Sequence, residues 1–292
     1  MTQTILVPAT SANLGPGFDS LGIAVALYLK VEIGVATDTW QVIHPFGATV
    51  PSDASNLIVK TALEVDPSIK PHQIKVNSEI PLARGLGSSS SAIVAGLILA
   101  DALGEHGWSS KELLEMATRI EGHPDNVAPA IYGDLTVSTT VANQVTSIKL
   151  PFPDADLVAF IPNYELLTSE SRAVLPEALA YRQAVVAGSI GNTLVAALAR
   201  GDLAQAAPLL EGDCYHEPYR SKLVPELAPL RDFAHANDAV VYLSGAGPTL
   251  MMVAPTQTGP KLAIQAQKLG FNGEFVALEI DRQGARLISE TN

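Results

Sequence analysis

The stretch that decides the fold is "PLARGLGSSSSAIVAGLILA", residues 81–100. Its two glycines and four consecutive serines stand between a strand-like segment, residues 72–80, and an apolar run of helical length. The order of strand, glycine-rich turn and helix is typical of a phosphate-binding loop, yet neither common template fits. No lysine follows the second glycine, as a P-loop requires, and position 90 is serine where a dinucleotide fingerprint needs a third glycine.

The chemistry of this loop nonetheless favours an anion. A strand that ends in a glycine-rich turn and continues as a helix directs several backbone N–H groups to one place, and the helix dipole adds to their field. Glycine permits close approach of the backbone, and serine hydroxyls can donate to phosphate oxygens or coordinate Mg²⁺. The alternative is a serine-rich helix cap without a ligand. By itself, the loop predicts phosphate binding and nothing more specific.

Length and composition are those of a globular protein. The 292 residues are 47% hydrophobic and 16% charged, which suits one large domain or two ordinary ones. A net charge of −12 disfavours a nucleic-acid partner, because such proteins normally present a basic face. The single cysteine, Cys214, cannot form an internal disulfide, and the sequence shows neither a signal peptide nor an apolar run of ~18 residues. We therefore expect a cytoplasmic protein with no membrane span.

Strand-like and helix-like segments come in runs rather than in strict alternation. The first 45 residues read as strands, and residues 54–65 as a helix capped by Ser55. A further helix is predicted from Ser109, which forms a capping box with Glu112, to a terminating glycine at position 122. This grouping favours an α+β fold over a doubly wound sheet.

The second half of the chain follows the same grouping. Residues 134–150 read as a hairpin, residues 169–237 as mostly helices, and the segment "GEFVALEI" as the final strand. The proline-rich segment "LPFPDAD", residues 150–156, follows the hairpin and predicts a domain boundary. The N-terminal domain would comprise residues 1–152 and the C-terminal domain residues 153–292.

Two segments before the boundary combine polar residues with turn-forming residues. "PATSANLGPGFDSLGIA" is expected to expose Asn13 and Asp19 on a turn, where they would either contact a ligand or cap the turn. "EGHPDNVAPAIYGD" places Glu121, His123 and Asn126, together with Asp125, within six positions. A carboxylate near a phosphate loop is what Mg²⁺ needs. A zinc site is weakly supported, because no second His or Cys stands at ligand spacing.

One segment after the boundary has a similar character. "YLSGAGPTLMMV", residues 242–253, places a glycine-rich turn between two strands. The turn is either part of an ordinary hairpin or an array of backbone N–H groups that faces the glycine- and serine-rich segment at residues 81–91, the serine loop.

Taken together, "PATSANLGPGFDSLG", "GLGSSSSA", "EGHPDNVAP" and "SGAGPT" resemble the GHMP small-molecule kinases, in the family's order and over most of the chain. The first and third segments are most similar to the branch that phosphorylates L-homoserine. The resemblance implies a two-domain α+β fold with its active site in the cleft between domains. It also implies ATP, Mg²⁺ and transfer of the γ-phosphoryl group to the side-chain hydroxyl of L-homoserine, a step of threonine biosynthesis.

The resemblance implies a nucleotide and metal site by position. The nucleotide site would comprise Asn56 and the loop residues Pro81, Leu82, Ala83, Arg84, Gly85, Leu86, Gly87, Ser88, Ser89, Ser90 and Ser91. Mg²⁺ would be held by Ser89 and Glu121, with Glu115 as the alternative carboxylate.

The resemblance also implies a substrate site. Asn13, Asp19 and His123 would hold L-homoserine, with Arg172 and Arg220 for its carboxylate. An amino acid needs a carboxylate for its ammonium group and cations for its carboxylate, which Asp19 and the two arginines supply. The catalytic residues would be Asn126, Arg172, Thr168 and Asp19. Asn126 stands where other members of the family have an aspartate base, so catalysis by positioning and charge neutralisation is favoured, with Asp19 as a candidate base.

Three other functions compete with this interpretation. A related kinase of a mevalonate derivative or a sugar would share the arginines, since these suit any carboxylate. A non-catalytic sensor would have lost part of the phosphate loop or the metal carboxylate, and both are intact here. A nucleic-acid binder is disfavoured by the acidity. The family suggests a homodimer, although no segment shows an interface, and nothing in the sequence locates feedback by threonine.

Overall fold

The computed structural model of this protein describes residues 2–290, which form two sheets with helices packed on them. The first sheet of this part of the chain contains β1 (Thr2–Ala12), β2 (Leu21–Ala36), β3 (Gln41–Ile43), β4 (His72–Ser78), β5 (Leu135–Val141), β6 (Gln144–Leu150) and β11 (Arg286–Glu290). The second contains β7 (Asp156–Pro162), β8 (Val240–Leu243), β9 (Leu250–Ala254) and β10 (Gly273–Leu278). The predicted α+β class is confirmed.

Ten α-helices are described between residues 2 and 290. They are α1 (Leu57–Val65), α2 (Ser88–Gly104), α3 (Ser110–Glu121), α4 (Val127–Tyr132), α5 (Thr168–Ala173), α6 (Tyr181–Ala199), α7 (Leu203–Leu210), α8 (Glu217–Arg220), α9 (Leu227–His235) and α10 (Gly259–Ala266). Within this range, none of them is both long enough and apolar enough to cross a bilayer.

The first sheet is built around the long strand β2. The strands lie in the order β11-β1-β2-β4-β3, and β5 and β6 extend from the N-terminal end of β2. All pairs are antiparallel except β3 with β4. Because β2 pairs with β5 at residues 21–23 and with β4 from residue 29 onwards, it changes partner along its length.

Helix α2 lies in the core directly behind the serine loop. Its apolar run, residues 92–100, has no polar face, which is typical of a helix that is covered on all sides. It packs against α1 and β1. At Gly96 an added Cβ would lie 2.5 Å from the carbonyl oxygen of Ile58, so glycine permits the close approach of α1.

The second sheet has the order β10-β7-β9-β8, with all pairs antiparallel. A core cluster of its own lies against α9 and α10. The larger core cluster is shared between the halves of the chain, because it joins β1, β2 and α2 to Leu194 of α6, Leu210 of α7 and Met251 of β9. The two sheets therefore do not have two separate hydrophobic cores.

Three local predictions are confirmed. Ser109 and Glu112 form the capping box of α3, and Gly122 ends that helix in a left-handed conformation. β5 and β6 form the predicted hairpin, and β4 covers most of the predicted strand before the loop.

Two predictions were wrong in detail. The cap of α1 is Asn56 rather than Ser55, since the Asn56 side chain accepts a hydrogen bond from the backbone N–H of Ile58. "GEFVALEI" is not the final strand, because β11 follows it and pairs with β1. The predicted C-terminal domain, residues 153–292, thus contains a strand of the first sheet, a pairing that no local pattern signals.

Candidate active site

The four polar segments meet at one cleft of about 240 Å³, lined by residues from both halves of the chain. Of the predicted site residues, the cleft is lined by Asn13, Asp19, Ala83, Arg84, Gly85, Gly87, Ser88, Ser89, Ser90, Glu121, His123, Asn126, Thr168, Arg172 and Arg220. A second, largely apolar cavity of about 310 Å³ is lined by Asn56 and Leu82, and Ser88 and Ser89 line both cavities. Pro81, Leu86 and Ser91 line neither.

The serine loop is held by close backbone contacts that require its glycines. Gly85 and Gly87 both have positive φ, of 76° and 69°. An added Cβ on Gly85 would lie 2.5 Å from the carbonyl oxygen of Ser244 and 2.7 Å from that of Gly247. The Ser244 hydroxyl donates to the Gly85 carbonyl at 2.7 Å. The turn at residues 244–248 therefore lies directly against the loop.

The four serines at the start of α2 have different surroundings. Ser88 and Ser89 face the cavities, and Ser89 is exposed. Ser90 is buried, and its hydroxyl donates to Glu121 at 2.8 Å. Ser91 is buried and donates to the carbonyl of Pro8 at 3.0 Å. Two serines thus remain available to a ligand, while the other two hold the loop in place.

The two candidate metal carboxylates lie in different places. Glu121 lines the cleft and accepts the hydrogen bond from Ser90. Glu115 is exposed on α3, where its nearest cation is Lys111 at 3.9 Å. Only Glu121 therefore faces the phosphate loop.

An ion pair joins the two halves of the chain across the cleft. Arg172 of α5 donates two hydrogen bonds to Asp19, at 2.7 and 3.2 Å, with roughly a third of each side chain exposed. Asn13 fixes the turn that carries Asp19: its side-chain oxygen accepts from the Asp19 backbone N–H at 3.1 Å. The Asn13 amide group donates to the Gly245 carbonyl at 2.9 Å. Asn13 therefore lines the cleft and also caps the turn.

Arg220 lines the cleft from a buried position and is 1% exposed. Burial is the main cause that lowers its pKa, to about 10, and the charge of Arg172 lowers it further. Its guanidinium centre lies 5.3 Å from the ring centroid of Phe18, and that of Arg172 lies 5.5 Å from the same centroid. Phe18 therefore packs against two of the three arginines that line the cleft, Arg172 and Arg220.

The segment after α3 supplies a histidine–aspartate pair and an amide. His123 Nδ1 lies 2.5 Å from Asp125, which is buried. Burial opposes the charged imidazolium, but the hydrogen bond to Asp125 and the nearby negative charges outweigh it and raise the pKa of His123. Asn126 accepts a hydrogen bond from the hydroxyl of Thr10 at 2.8 Å. Its carbonyl oxygen is thereby engaged, which leaves the amide N–H groups as donors.

Asp19, His123 and Asp125 also place potential metal-ligand atoms within 4.8 Å of one another. Asp19 is paired with Arg172, and His123 is paired with Asp125. These existing pairs account for the cluster.

Two family models match the chain: the GHMP kinases N terminal domain at residues 56–134, and the GHMP kinases C terminal model at residues 194–268. A homoserine kinase of Streptococcus pneumoniae (strain Hungary19A-6) is 50% identical over 284 residues, which cover 97% of this chain and 98% of that one. The chain belongs to the homoserine kinase family of GHMP kinases.

Solved structures agree with this family assignment. One named as a homoserine kinase from Listeria monocytogenes has a TM-score of 0.88 at 41% identity, covering 99% of this chain and all of that one. The homoserine kinase of Cytophaga hutchinsonii has a TM-score of 0.85 at 26% identity, covering 98% of this chain and 97% of that one. The expected GHMP fold is confirmed.

Within this GHMP kinase cleft, sequence reasoning missed several side chains. Phe18, Thr10 and His216 had no assigned role, although all three contact predicted site residues. The one available signal was the aromatic residue within the polar turn "NLGPGFDS". Thr10 lies in a strand and His216 precedes a four-residue helix, so their contacts depend on tertiary packing.

Proposed function

We propose that this protein is a homoserine kinase, which transfers the γ-phosphoryl group of ATP to the side-chain hydroxyl of L-homoserine and forms O-phospho-L-homoserine in threonine biosynthesis. The observation that carries the proposal is one cleft in which the serine loop lies beside several carboxylates and three guanidinium groups, those of Arg84, Arg172 and Arg220. That set complements a triphosphate and an amino acid at once. The 50% identity to a named homoserine kinase supports the same substrate.

The nucleotide would occupy both cavities. Its phosphates would lie on the loop that begins α2, where the helix N-terminus and the glycine backbone favour anions. Its base would lie in the apolar cavity lined by Phe46 and Ile80, since flat apolar groups bind in such surroundings. Ser88 and Ser89 line both cavities and so mark the passage from base to phosphates. Asn56 supports the base cavity mainly by capping α1.

The residues present fit Mg²⁺. The donors that face the loop are oxygen atoms, from the exposed hydroxyl of Ser89 and the carboxylate of Glu121, and Mg²⁺ prefers such ligands. The hydrogen bond from Ser90 orients Glu121. When bound, the ion would neutralise charge on the phosphate oxygens.

Bound L-homoserine would break the ion pair between Asp19 and Arg172 and pair with each of these side chains instead. Its ammonium group complements Asp19, and its carboxylate complements Arg172 and Arg220. Among the side chains of residues 3–289, no carboxylate lies within 4 Å of an Arg220 nitrogen. The buried cation thus has no carboxylate partner within the described chain, which suits an anionic ligand. His123 and Asn13 would complete the substrate site.

Catalysis would rest on positioning and charge stabilisation. The substrate hydroxyl oxygen would form a bond to the γ-phosphorus while the bond from that phosphorus to the ADP oxygen breaks, and the hydroxyl proton would pass late to an oxygen of the transferred phosphoryl group. Phosphoryl transfer through a loose transition state needs little early proton abstraction. The amide of Asn126 is not a base, and Asp19 is occupied by a cation in the free protein. Arg172, Asn126 and Thr168, which is exposed at the first turn of α5, would hold the reacting groups.

Further parts of the proposal concern the whole chain. We place it in the cytoplasm and divide it into domains at residues 152 and 153, with β11 returning to the N-terminal domain. A homodimer is our prediction for its assembly. No nucleic-acid or membrane partner is proposed.

The test is a coupled ADP-release assay with Mg-ATP that compares L-homoserine with mevalonate, galactose, L-serine and L-threonine. We expect turnover with L-homoserine alone. Turnover with mevalonate or galactose instead would contradict the proposed substrate. ATP binding without turnover on any of them would identify a non-catalytic sensor.

A matched pair of variants tests the metal carboxylate in the same assay. Glu121→Gln should raise the Mg²⁺ concentration needed for half-maximal rate by about 10-fold or more, because the site loses its charged ligand. Glu115→Gln should match the wild type, since Glu115 is exposed and faces away from the cleft. The reverse outcome would move the metal site to Glu115.

A further inference from the structure

Arg220 is held almost entirely by neutral partners. Its Nε donates to the Ser171 carbonyl at 3.1 Å, and its Nη1 donates to the Gly245 carbonyl at 3.0 Å and to His216 Nδ1 at 3.2 Å. Its Nη2 makes no hydrogen bond with any residue from 3 to 289. Since Arg220 lines the cleft, Nη2 is the end of the guanidinium group left for a ligand.

The contact with Arg220 defines the state of the His216 ring. A guanidinium group only donates hydrogen bonds, so Nδ1 of His216 must accept and carry no proton. Nε2 lies 3.1 Å from the Gly15 carbonyl, which only accepts, so Nε2 must carry the proton. The geometry therefore requires the neutral imidazole protonated at Nε2.

The surroundings of His216 preserve this neutral state. The side chain is fully buried. Burial is the main cause that lowers its pKa, to about 4, and the charge of Arg220 acts in the same direction, whereas Asp213 opposes both. An Asp213 carboxylate oxygen lies 3.5 Å from His216 Nε2, but this oxygen already accepts from the backbone N–H groups of His216 and Glu217, at 2.9 and 2.6 Å.

His216 also connects the two elements that carry the proposed substrate-binding side chains, Asp19 and Arg220. Gly15 belongs to the turn between Asn13 and Asp19, while Arg220 ends α8. The His216 ring stacks on Phe18 of the same turn, with centroids 5.3 Å apart and planes 23° apart. One ring thus fixes the distance between the turn that carries Asp19 and the helix that carries Arg220.

We propose that His216 is a positioning residue, whose neutral imidazole aims Arg220 Nη2 at the carboxylate of the substrate. His216 does not itself line the cleft, so it acts through Arg220 and the turn. This inference rests on the proposed function, because it assumes an amino-acid substrate whose carboxylate meets Arg220.

Two substitutions separate the two contacts of the ring. His216→Asn keeps an amide oxygen near the Nδ1 position and can still accept from Arg220. His216→Gln reaches the Nε2 position and can still donate to Gly15, but it leaves Arg220 without its acceptor. We compare kcat/KM for L-homoserine with that for propanolamine, which is homoserine without its carboxylate.

His216→Gln should lower the preference for homoserine over propanolamine by about 10-fold, mostly through KM for homoserine, because a hydrogen bond that orients a charged group is lost. His216→Asn should keep that preference within about threefold of the wild type. KM for ATP should stay the same in both variants. An unchanged preference in His216→Gln, or an equal loss in both variants, would overturn the inference.

A measurement without substrate separates this inference from the proposed function. Heteronuclear NMR of the full chain with labelled histidine, assigned by the signal missing in His216→Asn, reports the protonation of each ring nitrogen. We expect unprotonated Nδ1 and protonated Nε2 between pH 6 and 8. The opposite tautomer or a charged ring would refute the inference even if homoserine were turned over. Absence of turnover by the wild type would refute the proposed function instead.

Discussion

The carboxylate of Asp19 has two candidate roles in the cleft, substrate binding and proton abstraction. Its carboxylate is already bound by both Nη groups of Arg172. A carboxylate that exchanged this cation for the ammonium group of a substrate would stay paired with a positive charge throughout, which would make it a weak base. We therefore assign Asp19 to binding rather than to proton abstraction.

The substitution Asp19→Asn tests this assignment. KM for L-homoserine should rise about 10-fold or more, because a charge-assisted bond to the ammonium group is lost. The kcat at saturating homoserine should stay within about threefold of the wild type. Steady-state kinetics at fixed, saturating Mg-ATP provide both numbers.

A matched control is Asp238→Asn, because Asp238 is exposed and shares the positive φ of Asp19, 55° against 54°. It should leave both constants unchanged. A fall in kcat of about 10²-fold or more in Asp19→Asn would instead identify Asp19 as the general base.

At the scale of elements, the serine loop and the turn at residues 244–248 form one unit. Thr249 donates its backbone N–H to the Arg84 carbonyl at 3.2 Å, and Thr10 of β1 donates its backbone N–H to the Leu86 carbonyl at 3.2 Å. The loop is therefore held from both sides by elements distant in the sequence. The geometry of the loop depends on those contacts as well as on its own glycines.

Gly85→Ala should separate the loop from this turn. The new methyl group would overlap the Ser244 and Gly247 carbonyl oxygens, so the backbone must shift. We expect kcat/KM for ATP to fall by about 10²-fold, because small displacements of positioning groups have effects of that size. The measurement is the initial rate against ATP concentration at saturating homoserine.

Gly270→Ala is the control for backbone strain. Gly270 has nearly the same φ, 74°, but no atom lies within 4 Å of an added Cβ. The free energy of unfolding should fall by only ~1–2 kcal/mol, because alanine disfavours the left-handed conformation. The kcat/KM for ATP should stay the same. Equal kinetics in the two variants would mean that the contact of Gly85 with the turn is unimportant.

At the scale of the whole molecule, the two ends of the chain meet. β11 pairs with β1 over the five residues from Arg286 to Glu290, and the Ala285 backbone N–H donates to the Ala130 carbonyl at 2.8 Å. The larger core cluster also contains residues from both sequence halves. The first sheet is therefore completed by residues that follow the second one.

A chain that ends at Ala285 should be less stable. It loses the β11 ladder, and with roughly 1 kcal/mol per hydrogen bond and about 2–4 °C per kcal/mol the melting temperature should fall by about 5 °C or more. Thermal unfolding followed by circular dichroism measures this. Ser289→Ala is the control, since it keeps the ladder and changes an exposed side chain that makes no hydrogen bond with the described residues, which should alter the free energy of unfolding by about 0.5 kcal/mol or less. An unchanged melting temperature of the shortened chain would contradict the assigned role of β11.

Much of the fold and of the site could be predicted from the sequence, because the signals are local. The capping box of α3 needs only Ser109 and Glu112, three residues apart, and two of the three positive φ values of the loop fall on glycines, Gly85 and Gly87, the third being at Ala83. Periodicity located the hairpin and most strands. Positions within the motifs were sufficient to nominate most of the polar residues that line the cleft, but not Phe18.

The sequence by itself therefore determined the α+β class, the family and the list of nominated residues, because each of these depends on order and spacing along the chain. Only the tertiary structure decided that Ser90 bonds Glu121, that Arg172 pairs with Asp19 across the cleft, and that His216 lies behind Arg220. The same is true of β11, whose partner strand lies at the other end of the chain. Such contacts form only when distant segments pack around a shared core. No short stretch of sequence contains both partners of these contacts, so no local pattern predicts them.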